Sequence, residues 1–545
     1  MVRRHPGRAA LVLAVLAASA LALWAAGAGA TTRASSNVLK AGIPDNPDHL
    51  DPGLTYTNEG WEIVEATNNG LLTFKKASGG AGAQIVPDIA TSMPTVSRNG
   101  LTYTFHVRKG VRFSPPVNRD VLPSDVKFSI ERLFRIDSGG VGFYTGIKGA
   151  NKFAKTRKGG ISGIVANDKA GTVVFHLTQP DGTFLDYLSI PFAFVLPKGT
   201  PAKDISTIAN WRVATGPYVI SKYVPKQEID ITRNPSFHQW TPNSPNGHLD
   251  GIQVKIGITP EQAVNETANG QLDWYFESVA PDRLTEVKAR YPHQVYAFER
   301  NNTTYFSMNM RKPPFDKLAV RQAVNYATDR NALVKIFGGQ GTPDENILPP
   351  GFGAAYKAHH LFPYNLAKAK ALIKQSGDAG MSVTVWGHNT DPTPKATQYM
   401  AGVLNSIGLK ATVKTADESV YWDTIATQKG DPQIAFNDWN EDYPEGQDFI
   451  DVLLNGERIT SIGNNNQSNL NDPVVNKLID QAKRMPAGAA RDARWAKLDD
   501  LIMKRDAPWV PFMHRQWPKF VSTHVHGLVF NGTYFELFPS MELSK

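Results

Sequence analysis

The sequence predicts an α/β protein of two lobes joined at a hinge. Three observations point there. The chain has 545 residues, more than one hydrophobic core normally serves, so more than one domain is expected. It carries neither an internal repeat nor a low-complexity linker, so its domains meet at short crossings and move as rigid bodies. Strand patterns dominate the first part, whereas strand, helix and strand alternate with short links in the second.

At the N-terminus, Arg3, Arg4 and Arg8 precede an uncharged run from Ala9 to Ala26 and then Gly27-Ala28-Gly29-Ala30. Basic, apolar and small residues in that order read as a signal peptide over 1–30, cleaved after Ala30. The run is short for a membrane span, with an uncleaved anchor as the competing reading. Val38 to Ile43 then reads as a strand that ends in Pro44-Asp45-Asn46-Pro47-Asp48. Leu101, Tyr103, Phe105 and Val107 alternate with polar residues, as do Val173, Phe175 and Leu177, the period of half-buried strands. Between them Ser124 is the expected cap of a helix with Val126, Ile130 and Leu133 on one face. Residues 96–204 therefore read as a strand-rich subdomain.

In the second half Asp316, Asp329 and Asn365 are the expected caps of three helices, the last ended by Gly377. A crossover unit follows: strand Val383 to Trp386, helix Ala396 to Ile407, strand Leu409 to Val413. Short links make that pair parallel, and 301–512 becomes an α/β lobe. Apolar Phe520-Val521 and Leu528-Val529-Phe530 need a sheet to join. The first lobe is the simplest place. That makes 31–95, 205–300 and 513–545 one discontinuous N-terminal lobe and leaves crossings near 300 and 512 as the hinge.

Composition narrows the function classes. At 41% hydrophobic, 10% aromatic and 20% charged residues the chain is an ordinary folded protein. Cysteine is absent, which removes disulfides, thiolate metal sites, a thiol protease and a lipid-anchor cysteine after the leader. The formal charge of +8 includes the leader arginines, and no Lys/Arg block follows, so no nucleic-acid partner is expected. Neither Gly-x-Ser-x-Gly nor His-Glu-x-x-His occurs. A glycosidase-type carboxylate pair stays open, which keeps a secreted hydrolase as the alternative class. His359-His360 and His524-x-His526 read as surface, and no metal or cofactor is expected.

The segment Asn437-Asp438-Trp439-Asn440-Glu441-Asp442-Tyr443-Pro444 follows an expected strand from Gln433 to Phe436. Loops at strand C-terminal ends are where α/β sheets meet ligands. Its carboxylates either face water or await a cation. Tyr56, Trp61, Trp386, Trp422, Trp439 and Tyr443 lie in or near such loops, either as core or as a stacking surface.

Leu101-Thr-Tyr-Thr-Phe-His-Val-Arg-Lys-Gly-Val-Arg-Phe113 resembles the signature segment of the peptide/nickel class, family 5, of bacterial extracytoplasmic solute-binding proteins. Further matches run in register: Leu50-Asp51-Pro52, Ser124 to Arg132, Thr215-Gly-Pro-Tyr218, Arg233-Asn-Pro235, Pro314-Phe-Asp316 with Val320-Arg-Gln-Ala323, and Ala367 to Gly377. The family's turn after the signature is replaced by Ser114-Pro-Pro-Val-Asn-Arg-Asp120. The resemblance implies a two-lobed periplasmic-binding-protein fold of type II, in its large three-part variant. It also implies an exported monomer that delivers a peptide or peptide-like ligand to an ABC-importer permease, with an oligosaccharide or metal complex as alternative cargo.

Trp439 and Asp442 resemble the family's Trp-x-x-Asp element, which implies that Asp442 pairs with the α-ammonium of a bound peptide. Tyr443, Trp386, Trp61 and Tyr56 complete the expected ligand site. Members that hold dipeptides use an arginine after the strand that here ends at Trp386. This chain reads Gly387-His-Asn-Thr-Asp-Pro-Thr-Pro-Lys395 there. Without a bidentate clamp, the expected cargo is a longer peptide held by its main chain, a capped peptide, or a ligand lacking a carboxylate.

Overall fold

The computed structural model describes residues 37–208 and 213–544; the leader expected over 1–30 lies outside the described residues. The chain opens with β1 (Val38–Ile43) and α1 (Asn58–Thr67). Strands β2 (Thr95–Val96) and β3 (Thr102–His106) precede α2 (Pro123–Arg135), and β4 (Ile164–Asn167) and β5 (Thr172–His176) follow it. Next come β6 (Tyr218–Val224), β7 (Glu228–Arg233), β8 (Gly251–Ile256) and β9 (Trp274–Tyr275).

These make two sheets. A five-stranded sheet has the order β9-β1-β8-β7-β6, with β1 parallel to both neighbours. A four-stranded antiparallel sheet, β2-β3-β5-β4, carries the two alternating segments, whose apolar residues reach one core with α2. Helix α2 departs from expectation at its start. Leu122, not Ser124, is the cap residue, because Pro123 fills the first helical position, where its missing N–H costs nothing. The Asp125 carboxylate accepts the Leu122 N–H at 2.8 Å.

The chain then runs through β10 (Val295–Glu299) into β11 (Asn302–Met308). Helices α3 (Leu318–Ala327) and α4 (Arg330–Ile336) follow, then β12 (Gly341–Pro343) and α5 (Leu366–Ser376). Asp329 and Asn365 cap α4 and α5 through backbone N–H groups, and Gly377 ends α5 in the left-handed region that glycine adopts freely. Asp316 does not cap α3; a turn from Pro314 to Lys317 intervenes, and Lys317 takes the cap position. The crossover unit is β13 (Ser382–His388), α6 (Thr393–Ser406) and β14 (Lys410–Ala416), its strands parallel as expected. After it come β15 (Ile434–Asn440), α7 (Gly446–Leu454), α8 (Ala489–Arg505) and the long β16 (Trp509–Phe520).

The second large sheet has the order β10-β16-β11-β15-β13-β14, with β12 also on β16. One strand, β16, pairs with β11 through Trp509–Met513 and with β10 through Gln516–Phe520. Phe520 therefore belongs to this sheet rather than to the first. Its ring nevertheless packs with Val264, Val279, Leu284 and Val287. The terminal Phe530 pairs only with a short strand at Phe535–Glu536, and it packs on the core around β1 and β8. These residues form a two-stranded hairpin, too short to extend a sheet.

Candidate ligand-binding site

Strand β15 runs farther than its sequence suggests, so Trp439 lies in the ladder opposite Thr303 and only the residues after Asn440 form the loop. Helix α7 holds that loop in place. Glu445 caps α7 by accepting the Gln447 N–H at 2.7 Å. Asp448, one residue into the first turn beyond Gln447, accepts both the Asp442 N–H at 2.9 Å and the Trp439 indole N–H at 3.2 Å through Oδ2. Its Oδ1 is buried without a hydrogen-bond partner.

Asp442 meets the other half of the molecule here. The Tyr56 hydroxyl, just before α1, donates to Asp442 Oδ2 at 2.6 Å. Burial pushes the Asp442 carboxyl up to about 7, against the lowering effect of that hydrogen bond. Asp448 is raised well above its ordinary range by burial and by Asp442. Glu441, bonded to Asn301 Nδ2 at 2.8 Å, is pushed up to about 8 by burial. Among the described residues no basic side chain pairs with Glu441, Asp442 or Asp448. Three buried carboxyls without a basic partner are held toward their neutral forms, and an arriving cation would favour their ionisation.

Aromatic rings wall this centre. Tyr56 stacks on Trp61 at 6.0 Å, and Phe192 meets both edge-on. Tyr56 keeps 38% of its surface accessible, yet desolvation raises its hydroxyl well above the usual range. Trp61 is buried and donates to Thr55 O at 2.9 Å. Tyr443 packs edge-on against Tyr187 at 5.4 Å and Phe143 at 6.2 Å, inside the core of the first lobe.

Five of the six expected residues, Asp442, Trp439, Tyr443, Tyr56 and Trp61, are therefore connected. Trp386 stands apart, packing with Tyr421, Trp422 and Ile425, with the Lys414 ammonium 3.8 Å over its ring. Lys395 faces the surface, 3.7 Å from Asp391. His388 is held by Thr393 at 2.9 Å. Asp448 and Glu441 were not singled out by sequence, although an acid in the first turn of the helix behind the loop was a visible signal for Asp448. The expected surface pair at 359–360 is divided: His359 is half-buried, its ring between Asp499 and Glu345, and is pushed up to about 9 by those carboxylates. Among the described residues, no cluster of three or more His, Asp or Glu is placed to hold a metal.

Two lobes that meet around buried carboxyls and a set of aromatic rings have the layout of a protein that binds its ligand between them. Residues 84–461 match the family described as "Bacterial extracellular solute-binding proteins, family 5 Middle". The chain belongs to that family, one of solute-binding proteins rather than enzymes. It is 28% identical to heme-binding protein A of Haemophilus influenzae, over 90% of this chain and 88% of that one. It is 26% identical to di/tripeptide-binding protein 1 of Pseudomonas aeruginosa, over 86% and 87%. Among solved structures, clavulanic acid biosynthesis oligopeptide binding protein 2 superposes with a TM-score of 0.85 at 22% identity, covering 94% of this chain and 96% of that one. The two-lobed periplasmic fold is thereby established.

Proposed function

We propose that this chain captures a peptide or peptide-like ligand with a free amine between its lobes, outside the cytoplasm, and hands it to the permease of an ABC importer. One observation carries the reading: Asp442 and Asp448 lie buried together, and no basic side chain among the described residues pairs with either, an arrangement that an incoming ammonium completes. The name of the Pseudomonas aeruginosa relative, a di/tripeptide-binding protein, supports the peptide class. Tyr56, Trp61, Trp439 and Tyr443 form the walls around that ammonium, and Trp386 supports the sheet behind. The missing arginine after Trp386 and the outward Lys395 favour a peptide longer than two residues, held through its main chain. The hinge lies where the chain passes Arg300 and Arg515, whose backbones are hydrogen-bonded at 3.3 Å.

Calorimetry with trialanine and its N-acetylated form tests this. Asp442→Ala weakens trialanine by about 2 to 5 kcal/mol, mostly by leaving the ammonium unpaired. The acetylated peptide binds the native protein poorly and is little affected by the substitution. Equal affinity of native and Asp442→Ala protein for trialanine would remove Asp442 from the site. The ligand is recovered chemically unchanged after it has raised the melting temperature.

A further inference from the structure

A second contact joins the lobes, apart from the one between Tyr56 and Asp442. Thr183, on the loop after β5, is fully buried against α7 and α8. Its hydroxyl donates to Gln447 Oε1 at 2.7 Å, and the Gln447 amide donates to the Tyr187 hydroxyl at 2.7 Å. The Arg491 guanidinium, at the start of α8, donates through Nη2 to Thr183 Oγ1 and to Gln447 Oε1. It also lies 3.2 Å from Glu445 on its own lobe. The backbones touch as well, the Gly182 N–H donating to Lys483 O at 3.3 Å. A Cβ at Gly182 would fall 2.5 Å from Met485 O, so only glycine permits that approach.

Hydrogen bonding separates this contact from the Asp442 site. Thr183, Gln447 and Arg491 are at most 1% exposed, and their side-chain hydrogen bonds run among one another, Tyr187 and Glu445, none of them to Asp442, Asp448 or Tyr56. Arg491 also lies at the far end of α8 from β16, roughly 20 Å of helix away from the hinge strand. Leverage is greatest there, because a small hinge rotation separates distant groups most. When the lobes part, Arg491 keeps Glu445 and gains water. When they close, its Nε and Nη1 are left without hydrogen-bond partners. The closing contacts and this desolvation oppose each other.

We infer that Thr183, Gln447, Tyr187 and Arg491 form a clamp that closes the lobes independently of the cargo, so that it sets affinity and release for every ligand equally. The clamp rests on the two-lobed capture reading but not on the peptide. Its residues are positioning residues, acting through the open–closed equilibrium.

The test is Thr183→Val, which keeps the shape and removes the hydroxyl. X-ray scattering of the unliganded protein is expected to show a larger radius of gyration than native. Trialanine and Lys-Ala-Lys are expected to bind roughly tenfold more weakly, both by the same factor and mainly through faster dissociation. Thr183→Ser restores native behaviour. Gly182→Ala opens the same contact from the backbone side and carries the test if Thr183→Val does not fold. Unchanged scattering and affinity in both variants overturns the clamp, and so does a loss confined to one peptide, which would make Thr183 a ligand contact. If neither peptide binds the native protein, the peptide reading fails and the scattering still decides the clamp.

Discussion

Asp51 and Asp442 are both buried aspartates, one in each half of the chain, and their surroundings are opposite. Asp51 faces Arg132 in a two-pronged pair, Nη1 to Oδ1 at 2.9 Å and Nη2 to Oδ2 at 2.5 Å. Gly53 and Ile205 donate N–H groups to the same carboxylate at 2.9 and 3.1 Å, and Arg132 also donates to the Pro201 and Lys203 carbonyls. Every charge there is matched. Asp442 has a tyrosine hydroxyl, a second carboxyl behind it and, among the described residues, no basic side chain paired with it. A matched buried pair holds structure together, whereas an unmatched one marks where something from outside completes the charge.

Breaking the matched site gives the largest effect. Arg132→Ala leaves the buried Asp51 without its cation, with only backbone N–H donors beside it, and is expected to destabilise the protein by about 3 to 5 kcal/mol. Denaturant unfolding of the unliganded protein measures it. Replacing both partners by apolar residues, Arg132→Met with Asp51→Leu, recovers much of the loss, because no orphan charge remains. If the single substitution costs under about 1 kcal/mol, the pair contributes little and the contrast with Asp442 collapses.

Both aspartates were visible in the sequence, for different reasons. Asp51 and Arg132 fell in separate segments resembling the family, and nothing in either indicated that they pair. Alternation at Leu101 to Val107 gave β3, and the short links around α6 gave parallel β13 and β14, because periodicity and connection length are local properties. Asp442 was legible through its spacing from Trp439. Its partner Tyr56 lies 386 positions away, a contact that no local pattern reports. Trp386 shows the same limit: alternation tells that a strand residue is half-buried, not which space it faces. The interlobe clamp was equally hidden, since Thr183 and Arg491 are unremarkable until the lobes meet.

Proton linkage sharpens the contrast at the unmatched site. A carboxyl pushed up to about 7 in the folded protein holds its proton more tightly than in the unfolded chain. The native form therefore binds more protons between roughly pH 4 and 7, and Asp442 lowers stability progressively as pH rises through that window. An ammonium ligand requires the ionised form. Trialanine affinity is accordingly expected to fall about tenfold for each pH unit below 7 and to level off above it, with proton release on binding. Calorimetry in buffers of different ionisation heat reads the released proton. Affinity that is flat from pH 5 to 8 would mean that Asp442 is already ionised and the site is not short of a cation.

Tyr56→Phe is the smallest and most discriminating change. It removes the one side-chain hydroxyl that Asp442 Oδ2 accepts and leaves the ring that stacks on Trp61. An ionised carboxylate has about four acceptor positions, so the tyrosine and a ligand ammonium can bind it together. The hydroxyl then supports the charged form, and its loss is expected to weaken trialanine by about 1 kcal/mol while moving the midpoint of the pH profile upward. If Tyr56→Phe instead binds trialanine more tightly, the hydroxyl occupies the ammonium's own place, and it acts as a stand-in that the ligand must displace before the lobes can close over it.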